Sequence, residues 1–434
     1  MIPTPPNKEQ ASLTEQSVFH RPYRFWPVYA MSFLKTFFFS IYSIALPNFL
    51  IFEKQFSSSL VGAVGSVSAI AYIFGPYFGR KITDKLGIKK TLLLSHSISV
   101  ISIFISIFTT NPVVLIVMRA ADGFVTGFFW INILNLIATW EVTCERISEK
   151  EKHRNFLSTF NYSWNFGLIG GFLVGYGLVL LLGSDYVALI ISAIFASFLI
   201  PSAFLLESSD EFELHENQAV VFHDLKLRTK PSSYSPPVQI TDVKLPEDKE
   251  SLKHVPILMA WGGILLYAST KSILKFTLPY FIKLEDMNSE WVYLIVLFQQ
   301  VFQITGLTVV RKMDKMRYGY FSAMGILLVF TFSFFFSPSI LVIALINIIA
   351  GFWVGLIQGV TQRIVLDHGK ASGSRKYTMI NEIIMGISFG VVPFIAGFLN
   401  EFNIIYDFVF LAVEISLLAI ILVFTHWKFS NNQE

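Results

Sequence analysis

The chain has 434 residues, 53% hydrophobic and 15% charged, with 33 Lys and Arg against 30 Asp and Glu for a net charge of +3. A mean hydropathy of +0.59 is too apolar for an ordinary soluble domain, and no basic cluster sits on a soluble segment, so nucleic-acid binding is excluded as a theme. Cys144 is the sole cysteine, which excludes a disulfide within the chain.

Segment 1–24 is polar, contains Pro3, Pro5 and Pro6, and lacks a signal-peptide core, so the first apolar stretch is expected to act as the insertion signal. Twelve apolar spans follow, at 25–52, 60–78, 91–109, 112–139, 156–182, 186–206, 255–282, 291–310, 318–336, 340–362, 377–400 and 405–426. Each meets the ~20 residues that a helix needs to cross a hydrocarbon core of about 30 Å. Between spans 6 and 7, segment 207–254 carries both charge signs and Pro231, Pro236, Pro237 and Pro246, and reads as a tether. The domain plan is a tail 1–24, a six-helix half 25–206, a linker 207–254, a second half 255–426 and a tail 427–434.

Twenty-seven of the 33 basic residues fall in one alternate set of loops and termini, and only Lys54 and Lys283 in the other. By the positive-inside rule both termini and the linker are cytoplasmic, in a multi-pass protein of the cell membrane. An even number of spans agrees with twelve.

The two halves echo each other. Leu46-Pro47-Asn48-Phe49-Leu50 returns as Leu278-Pro279-Tyr280-Phe281-Ile282. Arg80-Lys81-Ile82-Thr83-Asp84-Lys85 returns, one residue shorter, as Arg311-Lys312-Met313-Asp314-Lys315, and Gly123–Gly127 as Gly351–Gly355. The offsets of 232, 231 and 228 keep register order. Parallel six-helix repeats with a path between them are a transporter plan.

Residues 80–90, RKITDKLGIKK, resemble the major facilitator superfamily signature between helices 2 and 3, Gly-x-x-x-Asp-Arg/Lys-x-Gly-Arg/Lys-Arg/Lys. Asp84, Lys85, Gly87 and Lys89 fall on its later positions; Arg80 stands at the leading glycine and Ile88 at a basic position. The second copy keeps Asp314 and Lys315 but has Arg317 in place of the glycine. Arg119-Ala120-Ala121-Asp122-Gly123 is similar to the family's Arg-x-x-polar-Gly motif in helix 4. The resemblance covers the chain and implies an all-α membrane fold of twelve helices in two pseudo-symmetric halves. It also implies a cavity lined by helices 1, 4, 7 and 10, and a gating role for Asp84, Lys85, Gly87, Lys89, Asp314 and Lys315 as a latch of the outward-facing state. The exporters' glycine-rich helix-5 motif is not matched, since Phe166 and Gly167 stand where Gly-Pro belongs.

Span 5 puts Gly167, Gly171 and Gly175 on one side, a stripe that admits a neighbouring backbone, and Asn161, Trp164 and Asn165 roughly opposite. An ionisable group inside a span costs ~2.5–3.5 kcal/mol if it meets lipid, so each marks a candidate site. Those nearest mid-span are Lys35, Arg119, Asp122, Lys271 and Lys275, on spans 1, 4 and 7. Arg119, Asp122, Thr126 and Trp130 share a face; Gln299 and Gln303 form a stripe on span 8, and Asn347 lies mid-span 10. Arg119 and Asp122 could instead pair with each other and hold the helix. Asp122 and Glu382 are candidate protonation sites; Glu414 reads as structural. The pocket reads as wet and net positive, with amide and aromatic walls.

No phosphate loop, metal-ligand spacing or nucleophile elbow is present, so neither an enzyme nor an ATP-driven pump is expected, and neither cofactor nor metal. The expected function is gradient-driven transport of a small organic solute, anionic or polar, with proton or sodium coupling. The alternatives are export of amphipathic or drug-like compounds, which the 44 phenylalanines would suit, and a non-transporting sensor or lipid-handling protein on the same fold.

Overall fold

The computed structural model describes residues 24–147, 156–207, 256–310, 321–329, 331, 339–372 and 376–431. Asp314 and Lys315, most of the linker, the first 23 residues and the last three lie outside them. Among the described residues all regular structure is helical. The helices are α1 (Trp26–Asn48, extended by a π-helical turn Phe49–Glu53), α2 (Ser58–Leu86), α3 (Ile88–Phe108), α4 (Pro112–Ile147), α5 (Phe156–Leu182) and α6 (Asp185–Ser197, continued by Leu199–Phe204). They continue as α7 (Ile257–Leu284), α8 (Glu290–Val310), α9 (described over 321–329), α10 (Ile340–Ser372), α11 (Lys376–Asn400) and α12 (Ile405–Asn431).

Several helix starts carry a side-chain cap: Ser57 accepts from Leu60 N, Asn111 from Val113 N, Ser184 from Tyr186 N and Asn403 from Ile405 N. Helices α2, α4 and α10, with 29, 36 and 33 residues, outrun the expected spans. Hydropathy measures the bilayer crossing, whereas a helix can continue into water. The 80–90 motif is therefore not an extended loop. It forms the last turns of α2 and the first of α3, hinged at Gly87, whose φ of 77° suits glycine.

Eleven helices among the described residues are long and apolar enough to cross a membrane, so this is a multi-pass membrane protein. Phe74, Phe108, Phe166, Phe204, Phe394 and Phe398 are all exposed, and lipid-facing side chains absorb much of the phenylalanine content.

Small residues set the helix crossings. A Cβ on Gly75 would meet the Gly127 Cα at 2.8 Å, so α2 and α4 pack backbone to backbone; α8 and α10 do the same at Gly351 and Gly355, against the carbonyls of Gln299 and Gln303. The α5 stripe behaves as expected: Gly167 and Gly171 lie against the Phe33 and Phe37 carbonyls of α1. Gly175 instead faces the ring of Tyr293 on α8.

The α1–α6 and α7–α12 groups meet along two seams, α2 with α11 and α5 with α8. At one membrane face, where α1, α5, α7 and α11 end, hydrogen bonds tie the seams. Lys283 Nζ donates to Ile51 O at 2.8 Å, Ser59 N to the Glu401 carboxylate at 3.3 Å, and Ser289 Oγ to Asp185 at 2.6 Å. Deeper in, Tyr72 OH donates to Glu382 and Gln300 Nε2 to Asn165 Oδ1. Beyond these two bonds, toward the opposite face with the Arg24–Glu207 ion pair and Gly87, no hydrogen bond between the groups occurs among the described residues.

Candidate functional site

Two polar clusters lie inside the helix bundle. The first belongs to α1, α3 and α4. Arg119 Nη1 donates to Asp122 Oδ2 at 3.0 Å across one turn, and Ser99 Oγ donates to Asp122 Oδ1 at 2.5 Å. Lys35 Nζ reaches Ser99 Oγ at 3.4 Å and Thr126 Oγ1 at 3.1 Å. Lys35, Arg119 and Asp122 are all at most 7% exposed. The Lys35 ammonium lies 5.1 Å from the Phe38 ring, and the Arg119 guanidinium 5.1 Å from Tyr42. Two basic side chains thus share one carboxylate, Arg119 directly and Lys35 through Ser99. The predicted Arg119–Asp122 pairing is present, but it also forms one end of the chain to Lys35. Trp130 sits a little further along α4, edge-on to Phe129 and Phe160.

The second cluster joins α5, α7, α8 and α10. Lys271 Nζ donates to Gln300 Oε1 and Gln303 Oε1, each at 2.8 Å. The amides pass the polarity outward: Gln300 Nε2 donates to Asn165 Oδ1 at 2.8 Å and Gln303 Nε2 to Gln358 Oε1 at 2.6 Å. Asn165 Nδ2 donates in turn to Asn161 O at 2.7 Å, and Trp164 Nε1 to Asn161 Oδ1 at 3.1 Å. Four residues along α7, Lys275 Nζ reaches Ser43 Oγ of α1 at 2.5 Å, with the Phe39 and Phe172 rings 5.5 and 6.0 Å away. Neither lysine meets a carboxylate among the described residues.

The site differs from the expected stripe in one respect. Gln299 is buried but its Nε2 has no partner, and it does not reach Lys271; Gln300, its neighbour, does. Asn347 is buried on α10. Sequence reasoning missed Ser99, Gln300 and Gln358. It also missed His96, fully buried three residues before Ser99, with neither ring nitrogen hydrogen-bonded.

Glu382 is buried on α11, accepting from Tyr72 OH and from Asn381 Nδ2 at 3.3 Å. Asp84 and Lys85 are exposed at the end of α2, and Lys89 is half-buried in α3. Asp84 lines a small recess with Arg80, Thr83, Asn132 and Asn135 and accepts no hydrogen bond among the described residues. Thr83 ties that corner to α4 by donating to Asn132 Oδ1 at 2.9 Å.

Comparison with known proteins agrees with this architecture. No curated protein matches the chain. Its fold is similar to the crystal structure of the nucleoside transporter NupG, with 15% identity over 92% of this chain and 98% of that one and a TM-score of 0.58. It is also similar to the crystal structure of a D-xylose-proton symporter, with 14% identity, 93% and 97% coverage and a TM-score of 0.63. The family model of the Major Facilitator Superfamily matches residues 28–393, so the chain belongs to the major facilitator superfamily.

Proposed function

We propose that this protein is a gradient-driven secondary transporter of a small organic solute, anionic or polar, working by alternating access. Its twelve spans form two pseudo-symmetric six-helix halves, 25–206 and 255–426, joined by the linker 207–254 and flanked by tails 1–24 and 427–434. The loop charges seat it in the cell membrane with both termini cytoplasmic.

One observation carries the substrate class: the ammonium groups of Lys271 and Lys275 are held by amides and a hydroxyl, with no carboxylate beside them among the described residues. A charge taken out of water is costly unless paired, and neutral oxygens compensate it only in part. A solute carboxylate or phosphate would supply the rest. Lys35, Arg119, Asp122, Trp130, Asn161, Asn165, Gln299, Gln303 and Asn347 complete the pathway walls. The amides suit a polar body; NupG and the xylose symporter are named for a nucleoside and for D-xylose with a proton.

For coupling, Asp122 already has Arg119, whereas Glu382 has only neutral donors, Tyr72 and Asn381. That favours Glu382 as the protonation site of the cycle. Asp84, Lys85, Gly87 and Lys89, with Asp314 and Lys315, latch the cytoplasmic side when it closes. The ties at the opposite face, Lys283 to Ile51, Ser59 to Glu401 and Ser289 to Asp185, support reading the structure as closed to the outside.

The test is a thermal-shift screen of purified protein against a metabolite collection, followed by uptake of the hits into proteoliposomes. Anionic or polar hits that accumulate down an imposed gradient support the proposal. Hits confined to amphipathic cations, or binding without any uptake, overturn it.

A further inference from the structure

We propose that Asp185 is the latch of the outer gate, the carboxylate whose bonds hold the two halves together in the inward-open state. The inference rests on the alternating-access reading but not on the nature of the solute.

Asp185 opens α6 and is 2% exposed. Three donors converge on it. Ser289 Oγ donates to Oδ2 at 2.6 Å; Tyr293 OH and Asn48 Nδ2 donate to Oδ1 at 3.0 and 3.3 Å. Asn48 belongs to α1, in the same half as Asp185, whereas Ser289 and Tyr293 stand at the start of α8 in the other. Asn48 Nδ2 also reaches Ser289 O at 3.4 Å. No cation pairs with Asp185 among the described residues, so its charge is satisfied by these neutral donors alone, two of them across the seam.

A second feature is built around the same contact. The ring of Tyr293 is fully buried and faces Gly175, where an added Cβ would lie 2.5 Å from the ring. The third glycine of the α5 stripe is thus a notch that seats the tyrosine so that its hydroxyl meets Asp185. The aspartate near the head of the last helix of the other half, Asp407 on α12, is used differently. It is fully buried and accepts from Thr277 Oγ1 at 2.9 Å, within its own half, and its Oδ1 has no partner. Opening to the outside must therefore break the Asp185 bonds, whereas the Asp407 bond can persist.

Hydrogen bonds to a charged group contribute enough that losing two across the seam shifts a two-state balance by at least about tenfold. Spin labels on cysteines replacing exposed Thr110 and Glu285, on outer loops of opposite halves, report the seam by pulsed electron resonance in nanodiscs, in a Cys144→Ser background. Without solute, the latched protein gives mainly the short distance. Asp185→Ala raises the ratio of long to short distance at least tenfold, and Gly175→Ala, which unseats Tyr293, raises it in the same direction. Thr277→Val leaves it within twofold. Should Asp185→Ala fail to fold, the Ser289→Ala/Tyr293→Phe double variant is judged by the same ratio. An unchanged ratio in the Asp185 or double variant, or an equal rise in Thr277→Val, overturns the proposal. No solute enters the experiment, so its result is independent of whether the anion proposal stands.

Discussion

Around α4 a lysine and an arginine share a carboxylate, Lys35 reaching Asp122 through Ser99 and Arg119 pairing with it directly; around α8, Lys271 and Lys275 have only amide and hydroxyl partners. The scaffolds beneath are alike, each a close crossing of glycine-bearing helices, α2 with α4 and α8 with α10. The crossings are alike and the polar content around them differs. A cluster with its own counter-ion is internally settled and contributes to holding α4 in place. On the proposed reading, a cluster without one is completed by the solute, which is where an anion gains most.

The largest effect should come from breaking the settled cluster. Arg119→Ala leaves Asp122 buried with its direct cation gone, and breaking one side of a buried pair costs about 3–5 kcal/mol. Thermal unfolding of the purified protein should fall sharply, and the Arg119→Met/Asp122→Leu double variant should recover most of the loss. A mild single-variant effect would mean that Lys35 alone can hold Asp122, and the contrast between clusters would weaken.

Next in size is the open cluster. Lys271→Ala should lower affinity for an anionic solute roughly ten- to a hundredfold, from the loss of a charge-assisted bond of ~1.5–3 kcal/mol. Its cost in stability should be small, because the glutamines can bond each other or water. Lys35→Ala should lower affinity less, and Lys→Arg should do less than Lys→Ala at either site. Equilibrium binding measured beside thermal unfolding separates these outcomes. Gly355→Ala sharpens the comparison: the added methyl would press on the Gln303 backbone and misplace a Lys271 partner. Transport should fall several-fold more than in Gly177→Ala, where the space is open.

The smallest effect is at the cytoplasmic latch. Asp84→Asn should reduce transport while solute binding and expression survive, with Asp314→Asn doing less because its motif is degraded. Equal loss at both positions, or unfolding at either, would make these aspartates structural.

Much of this was legible in the sequence, for physical reasons. Hydropathy located the eleven spans found among the described residues because the bilayer imposes one length on all of them, and the α5 glycines were readable because close packing leaves no other residue type. Lys35, Arg119 and Asp122 stood out because charge is rare in lipid. The rest was hidden where chemistry is local and neutral. Ser99 is one of many serines on α3, and nothing in its type marks it as the bridge between Lys35 and Asp122. Gln300 was passed over because a four-residue stripe selected Gln299 and Gln303, whereas Lys271 takes an i, i+3 pair. Asp185 looked like loop because it begins its helix; its role depends on a partner 104 residues away.

The central claim, that Lys271 and Lys275 await a counter-charge from the solute, is tested most directly by matched ligands. The melting temperature of the purified protein is measured with D-glucuronate against D-glucose, and with a nucleoside monophosphate against its nucleoside. The same pairs are run on the Lys271→Ala/Lys275→Ala variant. The account predicts stabilisation by the anionic member of a pair, little by its neutral partner, and loss of the difference in the variant. Equal stabilisation by the neutral member, retained when both lysines are gone, would contradict it.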